Sequence, residues 1–247
     1  MVLLAGDLFH ENKPTRRTLH KTMTILRKHT MGPNPISFQI ISDQAQNFRS
    51  TVSPYNVVNY EHPFISIDLP IFSIHGNHDD PTRDGGDEML AALDLLAMGN
   101  LVNYFGRQDA VDKVQVSPIL IKKGETKVAL YGMGSMRDER LNRMWQGKKV
   151  RFLRPESSQK DKNNDGEDEE NVDSEEEEGT EWFNIFALHQ NRDLGRGTKN
   201  CVHESMIPGT YLHITWIMNE SFSFPCQYLK NEIMLLYRMD GFGSLGP

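Results

Sequence analysis

Short apolar runs that end in polar residues alternate with helix-like segments along much of the chain. Val2-Leu3-Leu4-Ala5 predicts a buried strand that ends at Gly6. Thr15 is a candidate N-cap for a helix that runs to about His29. Further strands are predicted at 36–41, 69–74, 114–121, 127–131 and 183–188, and helices at 87–98 and 137–146. This alternation of strands and helices predicts an α/β layered domain.

Residues 156–181 interrupt this pattern. They are polar, acidic and poor in large apolar side chains, which predicts a disordered surface insertion. Residues 165–181 alone hold 11 acidic residues and no Lys or Arg. Without these 11, the chain has 23 acidic against 27 basic residues, so its net charge of −7 becomes +4. A mildly basic remainder is compatible with a polyanionic partner but does not establish one.

Composition excludes several other classes of protein. The 247 residues allow one large domain or two small ones, and 38% hydrophobic content excludes wholesale disorder. No apolar run reaches the ~20 residues that a membrane-spanning helix needs. Cys201 and Cys226 form no CxxC pair, so neither a disulfide framework nor a cysteine-based zinc site is expected.

Three predicted strand ends carry residues that can bind metal. They are Gly6-Asp7, the run His75-Gly76-Asn77-His78-Asp79-Asp80, and His189-Gln190-Asn191. Carboxylate, amide and imidazole groups suit manganese, iron or zinc. If the loops converge, they could hold two ions about 3.5–4 Å apart, an arrangement used in phosphoryl displacement.

Each strand end also has a structural interpretation. Gly-Asp after a strand is common, and a single histidine such as His189 is more often satisfied by hydrogen bonds than by a metal. Gly-Asn-His-Asp is more specific, because four polar residues make an unusual turn for packing alone. The three together favour metal chemistry.

Longer motifs carry a resemblance to a known family. They include GDLFHENKP (6–14), FSIHGNHDDP (72–81), ALYGMGSMRDERLNRMW (129–145) and WFNIFALHQNR (182–192). Together they resemble the meiotic recombination eleven family of double-strand-break repair nucleases, within the calcineurin-like metallophosphoesterase superfamily. The resemblance implies an α/β sandwich of two central β-sheets flanked by helices. We predict a nuclease domain over 1–207, interrupted by 156–181, and a divergent tail over 208–247.

The resemblance also implies residue roles. Asp7 would bridge two ions, Asn77 would bind one ion and touch the phosphate, and His189 would be a further ligand. His78 would orient the phosphate and protonate the leaving oxygen, and His10 would support exonuclease action. Lys13, in the first of these loops, is a candidate for a phosphate contact.

The implied activity is manganese-dependent: 3′ to 5′ exonuclease and single-strand endonuclease action on DNA ends in the nucleus. The implied partners are a second copy of the chain, an SMC-like coiled-coil ATPase (Rad fifty) and a nibrin-type subunit. The family's roles in homologous recombination and meiosis follow from the same resemblance.

Two motifs of the family have no counterpart in the sequence. The family's first strand ends in Asp-x-His upstream of Gly-Asp, and that strand is missing here. Aligning Trp216 with a family tryptophan places Met218 and Glu220 where two histidines belong, and a thioether suits such ions poorly. We therefore expect this chain to fold poorly alone and to be nearly inactive as a nuclease.

Two alternatives to a nuclease stay open: a catalytically dead interaction or dimerisation module, and a generic phosphoesterase.

Overall fold

A parallel sheet contains the first strand of the chain. The computed structural model describes residues 1–48, 57–83, 89–108, 110, 112–154, 182–191, 201–202, 206–207, 213–216 and 234–235. The strands of this first sheet are β1 (Val2–Ala5), β3 (Ile71–Ile74), β6 (Asn103–Tyr104) and β13 (Met234–Leu235). Their order is β13-β1-β3-β6 and all are parallel, with Ala5 opposite Ile74. The ends of β1 and β3 therefore lie side by side.

A second sheet has five strands. They are β2 (Gln39–Ile40), β8 (Ile119–Lys123), β9 (Thr126–Met133), β11 (Phe183–Leu188) and β12 (His213–Trp216). Their order is β12-β11-β9-β8-β2, in which β9, β11 and β12 are parallel. Strand β8 is antiparallel to both β9 and β2. Two small pairs complete the described strands: β4 (Thr82–Arg83) with β5 (Met89–Leu90), and β7 (Val114–Val116) with β10 (Val150–Phe152).

The described helices are α1 (Arg16–Thr30), α2 (Gln44–Asn47), α3 (Ala92–Met98) and α4 (Asp138–Gln146). Thr15 caps α1, because its hydroxyl accepts a hydrogen bond from the backbone N–H of Thr18 at 3.2 Å. The predicted N-cap is therefore correct. None of the described helices is long and apolar enough to cross a membrane.

Both sheets are buried on both faces. One apolar cluster lies between them and contains Leu3 and Ile74 from the first sheet and Ile185 and Ala187 from β11. The alternate β11 residue Phe186 packs in a second cluster with Leu141 of α4. On the far side of the first sheet, a third cluster joins Val2 to α1 and α3. Two sheets with helices on their outer faces make the α/β layers that the sequence predicts.

Several predicted boundaries are wrong. The strand at 36–41 contains only Gln39–Ile40, and the run 114–121 is divided between β7 and β8 around Pro118, which has no N–H to donate. The helix predicted at 87–98 begins at Ala92, because the carboxylate of Asp94 accepts a hydrogen bond from Ala91 N at 2.7 Å. Residues 89–90 instead form β5.

Part of the predicted domain organisation falls outside the described residues. The acidic insertion at 156–181 lies there entirely, as do Met218 and Glu220. Two short strands, β12 and β13, fall within 208–247 and pair with β11 and β1. The domain boundary at 207 stays a prediction.

Close approach between the two sheets depends on a glycine in β9. A Cβ added to Gly132 would meet the ring of Phe105 and lie 2.9 Å from Ile74 Cγ2. We expect Gly132→Ala to lower the free energy of unfolding by about 2–3 kcal/mol, the usual range for overpacking. Urea denaturation followed by circular dichroism measures this.

Gly124 provides the control for that substitution. It has positive φ (+57°) but open space around its Cβ position, so Gly124→Ala has only the backbone cost of about 1 kcal/mol. Equal losses for the two variants would contradict the packing argument.

Candidate metal centre

The site lies where strands of the two sheets end at a common edge. Asp7 follows β1, the segment 75–80 follows β3, and His189 follows β11. Strands β1 and β3 are parallel neighbours, which brings their loops together. Loops at the carboxyl ends of parallel strands are usual positions for binding sites. The fold thus brings together the three strand ends selected from the sequence.

A tight backbone turn places the Asp7 carboxylate. Gly6 and Asp7 both have positive φ, +100° and +53°, and aspartate tolerates this conformation better than most residues. Asp7 Oδ1 accepts a hydrogen bond from His78 N at 3.0 Å. A Cβ on Gly76 would collide with the Asp7 carboxylate, so glycine is required for this approach. Asp7 Oδ2 is buried and has no hydrogen-bond partner within the part of the chain that the structure describes.

His189 directs one ring nitrogen towards this carboxylate. Its Nδ1 lies 2.9 Å from the carbonyl oxygen of Ala5. A carbonyl only accepts hydrogen bonds, so Nδ1 carries the proton and donates it, which leaves Nε2 with a lone pair in the neutral ring. Nε2 lies 3.0 Å from Asn77 Oδ1 and 3.3 Å from Asp7 Oδ2. Three acceptor atoms therefore face one another.

Three acceptor atoms this close repel one another, and a positive charge between them removes the repulsion. For Asp7, burial acts to raise the pKa of the carboxyl, but the contact with His189 and the N–H of His78 outweigh it and lower that pKa. For His189, burial acts to lower the pKa of the imidazole, but Asp7 and the Ala5 carbonyl raise it overall. Both shifts favour the ionised carboxylate and the protonated imidazole, and so favour a positive charge at this point.

The same donor set is chemically suited to a divalent ion. A metal-bound histidine usually donates its other ring N–H to a carbonyl or carboxylate, as His189 does to Ala5. Asp7 Oδ2, which has no hydrogen-bond partner among the described residues, and the Asn77 amide oxygen could supply the oxygen ligands. Within the described ranges, no three His, Cys, Asp or Glu side chains form a metal-binding group, and the third donor here is an amide.

Two further histidines lie at the margin of the site. The rings of His10 and His78 stack with centroids 4.6 Å apart and planes inclined by 23°. His10 is exposed and His78 is half-buried, so a ligand from solvent can reach both. Lys13 is exposed in the same loop as His10, and its contact with phosphate stays a prediction.

The structure gives Asp79 a role that the sequence did not assign. This residue is fully buried, and its Oδ1 and Oδ2 accept hydrogen bonds from Gly76 N at 2.6 Å and Phe9 N at 3.3 Å. Burial raises the pKa of this carboxyl against the effect of those two N–H groups. Asp79 therefore connects the loop after β1 to the loop after β3. The position of Asp79 at the end of the Gly-Asn-His-Asp motif is the feature of the sequence from which this role could have been predicted.

The strands, their terminal loops and the donor set define an α/β protein with a candidate divalent-metal site of the phosphoesterase type. The chain is 44% identical to the double-strand break repair protein MRE11 of Mus musculus over 238 residues, 96% of this chain and 30% of that protein. The human protein of that name gives the same identity over 96% of this chain. The Arabidopsis thaliana protein is 46% identical over 220 residues, 87% of this chain and 27% of that protein.

These relatives confirm the resemblance to the double-strand-break repair family. The chain spans less than a third of the length of the curated relatives that it matches. The mouse match covers 96% of the chain, so it extends beyond residue 208 into the segment interpreted as a divergent tail. No protein-family profile matches the chain.

The buried carboxylate of Asp79 can be tested against an exposed aspartate elsewhere in the chain. Asp79→Ala would leave the N–H groups of Gly76 and Phe9 buried without partners, so we expect a loss of about 2–3 kcal/mol in the free energy of unfolding. Asp112→Ala is the matched control, because Asp112 is exposed and surface changes usually stay within about 0.5 kcal/mol. Similar unfolding midpoints in urea for the two variants would refute the role of Asp79.

Proposed function

We propose that this chain carries the metal-binding face of a manganese-dependent DNA nuclease of double-strand-break repair. The observation that supports this most is the meeting of three acceptor atoms: Asn77 Oδ1 lies 3.0 Å and Asp7 Oδ2 lies 3.3 Å from His189 Nε2. The similarity to proteins named for double-strand break repair supports the choice of DNA as the substrate.

Each residue has a proposed task. Asp7, Asn77 and His189 would hold manganese, and the loss of any one removes a ligand that the fold fixes in place. When bound, such an ion supplies positive charge that polarises a phosphodiester and water. His78, with its backbone fixed by Asp7, would give a proton to the leaving oxygen. His10, stacked on His78, and Lys13 would contact the phosphate.

The proposed partners follow from the resemblance. They are DNA ends, a second copy of the chain, an SMC-like coiled-coil ATPase and a nibrin-type subunit, and the proposed location is the nucleus. The proposed reaction comprises 3′ to 5′ exonuclease and single-strand endonuclease action. A nuclease domain over 1–207 with an acidic insertion at 156–181 remains part of this proposal.

Manganese binding tests the ligand set directly. We expect the chain to bind Mn²⁺, and Asp7→Asn and His189→Gln each to weaken binding by about tenfold or more, because each removes one of three converging donors. Asp7→Asn keeps the size of the side chain. The free Mn²⁺ signal in electron paramagnetic resonance gives the dissociation constants.

His20→Gln is the matched control for the histidine variant, because His20 is exposed on α1. It should bind manganese like the unmodified chain. If Asp7→Asn and His189→Gln also bind manganese unchanged, this ligand set is wrong.

Catalysis requires a separate measurement. We expect manganese-dependent release of nucleotides from 3′-labelled duplex DNA by the unmodified chain to be low, because two metal motifs of the family have no counterpart in the sequence. The activity that remains should be lost in His78→Gln, which cannot act as the general acid. The manganese affinity of this variant should stay unchanged. His20→Gln again serves as the control. Tight manganese binding without any DNA cleavage by the unmodified chain would instead favour a catalytically dead interaction module.

A further inference from the structure

His75 begins the loop that carries Asn77 and His78, yet its own ring is turned away from the three acceptors. It is 4% exposed. Its Nε2 lies 3.2 Å from the carbonyl oxygen of Ser135, and its Nδ1 lies 2.7 Å from the hydroxyl of Tyr104. Because a carbonyl only accepts, Nε2 carries the proton, and Nδ1 accepts from the Tyr104 hydroxyl. Both nitrogens of the neutral ring are used.

His75 and His189 differ in which ring nitrogen carries the proton. His189 is protonated on Nδ1 and directs Nε2 towards Asp7 and Asn77, whereas His75 is protonated on Nε2 and has its Nδ1 lone pair occupied by Tyr104. His75 therefore has no lone pair left for a metal or a substrate. Any effect that it has on the site must act through the backbone of its own loop.

His75 has a hydrogen-bond partner in or beside each sheet, and its Nε2 also lies 3.5 Å from Oδ1 of Asp80 in its own loop. Tyr104 belongs to β6 of the first sheet, and Ser135 follows β9 of the second. Ser135 N also donates to the carbonyl oxygen of His75 at 3.1 Å. A Cβ on Gly134 would collide with the His75 ring, so the ring lies directly against this backbone. The start of the loop is thus fixed to both sheets, and Asp79 fixes its other end.

Between these two anchors lies Asn77, whose side chain is exposed and so is not held in place by burial. We infer that the hydrogen-bonded pair His75–Tyr104 positions the Asn77 amide oxygen and His78 against Asp7 and His189. His75 and Tyr104 are positioning residues, since neither touches the three acceptors. The inference rests on the proposed function for its consequence, the metal affinity, but the arrangement itself exists without metal.

Tyr104→Phe tests this by removing a single hydroxyl. The matched control is Tyr60→Phe, because the Tyr60 hydroxyl is buried but has no hydrogen-bond partner among the described residues. Two readouts are taken: the amide and imidazole resonances of Asn77 and His78 in the metal-free chain by NMR, and the Mn²⁺ dissociation constant. We expect Tyr104→Phe to shift those resonances and to weaken Mn²⁺ binding by about tenfold, as changes behind a ligand commonly do. Tyr60→Phe should do neither.

The two readouts separate this inference from the proposed function. Shifted resonances in Tyr104→Phe together with no manganese binding by the unmodified chain would support the positioning role and refute the proposed metal site. Unmoved resonances would overturn the inference, whatever the manganese affinity does. His75→Gln is a second, stronger variant and should shift the same resonances further. If it fails to fold, Tyr104→Phe still decides, because that change preserves the ring and its packing.

Discussion

Three acceptor atoms that face one another impose the main constraint on this structure. Asp7 Oδ2, Asn77 Oδ1 and His189 Nε2 meet at a point where Nδ1 of His189 is already committed to the Ala5 carbonyl. Without a positive charge between them, the three acceptor atoms repel one another, and the side chains of Asp7 and His189 are too buried for water to screen this repulsion. The raised pKa of His189 and the lowered pKa of Asp7 agree with this need for a positive charge. The need for a positive charge at this point therefore follows from the positions in which the fold holds these three atoms.

The packing of the two sheets is what allows these atoms to approach. Gly6 and Gly76 give the Asp7 carboxylate and the His189 ring space that a Cβ would fill. Behind them, Gly132 lets Phe105 and Ile74 pack closely between the sheets. Asp7, Asn77 and His189 follow strands of different sheets, β1 and β3 in the first and β11 in the second. We therefore expect packing between the sheets to affect how closely these side chains approach, since dense interiors transmit small displacements.

The elements predicted correctly are those with a strong local signal. Strand β1 is a continuous apolar run, and Thr15 is a hydroxyl residue at a helix start. Both can therefore be predicted from a few neighbouring residues. The strand predicted at 36–41 is mostly absent, because only Gln39–Ile40 finds a partner, in β8. That pairing depends on residues about 80 positions away, which no local pattern contains. The β7–β8 division at Pro118 could have been predicted from the missing N–H.

The roles of single atoms in the site also could not be predicted from local sequence patterns. Residue type and position at a strand end do not distinguish His75, His78 and His189, and only the family resemblance assigns roles to His78 and His189 and none to His75. The distinction comes from the partner that each ring finds: the Ala5 carbonyl frees Nε2 of His189, whereas the Ser135 carbonyl and the Tyr104 hydroxyl occupy both nitrogens of His75. A backbone carbonyl thus decides which histidine can be a ligand and which can only position one. The sequence motifs name the candidate ligands, and contacts with both sheets, through Ala5, Tyr104 and Ser135, determine which ring nitrogens stay available.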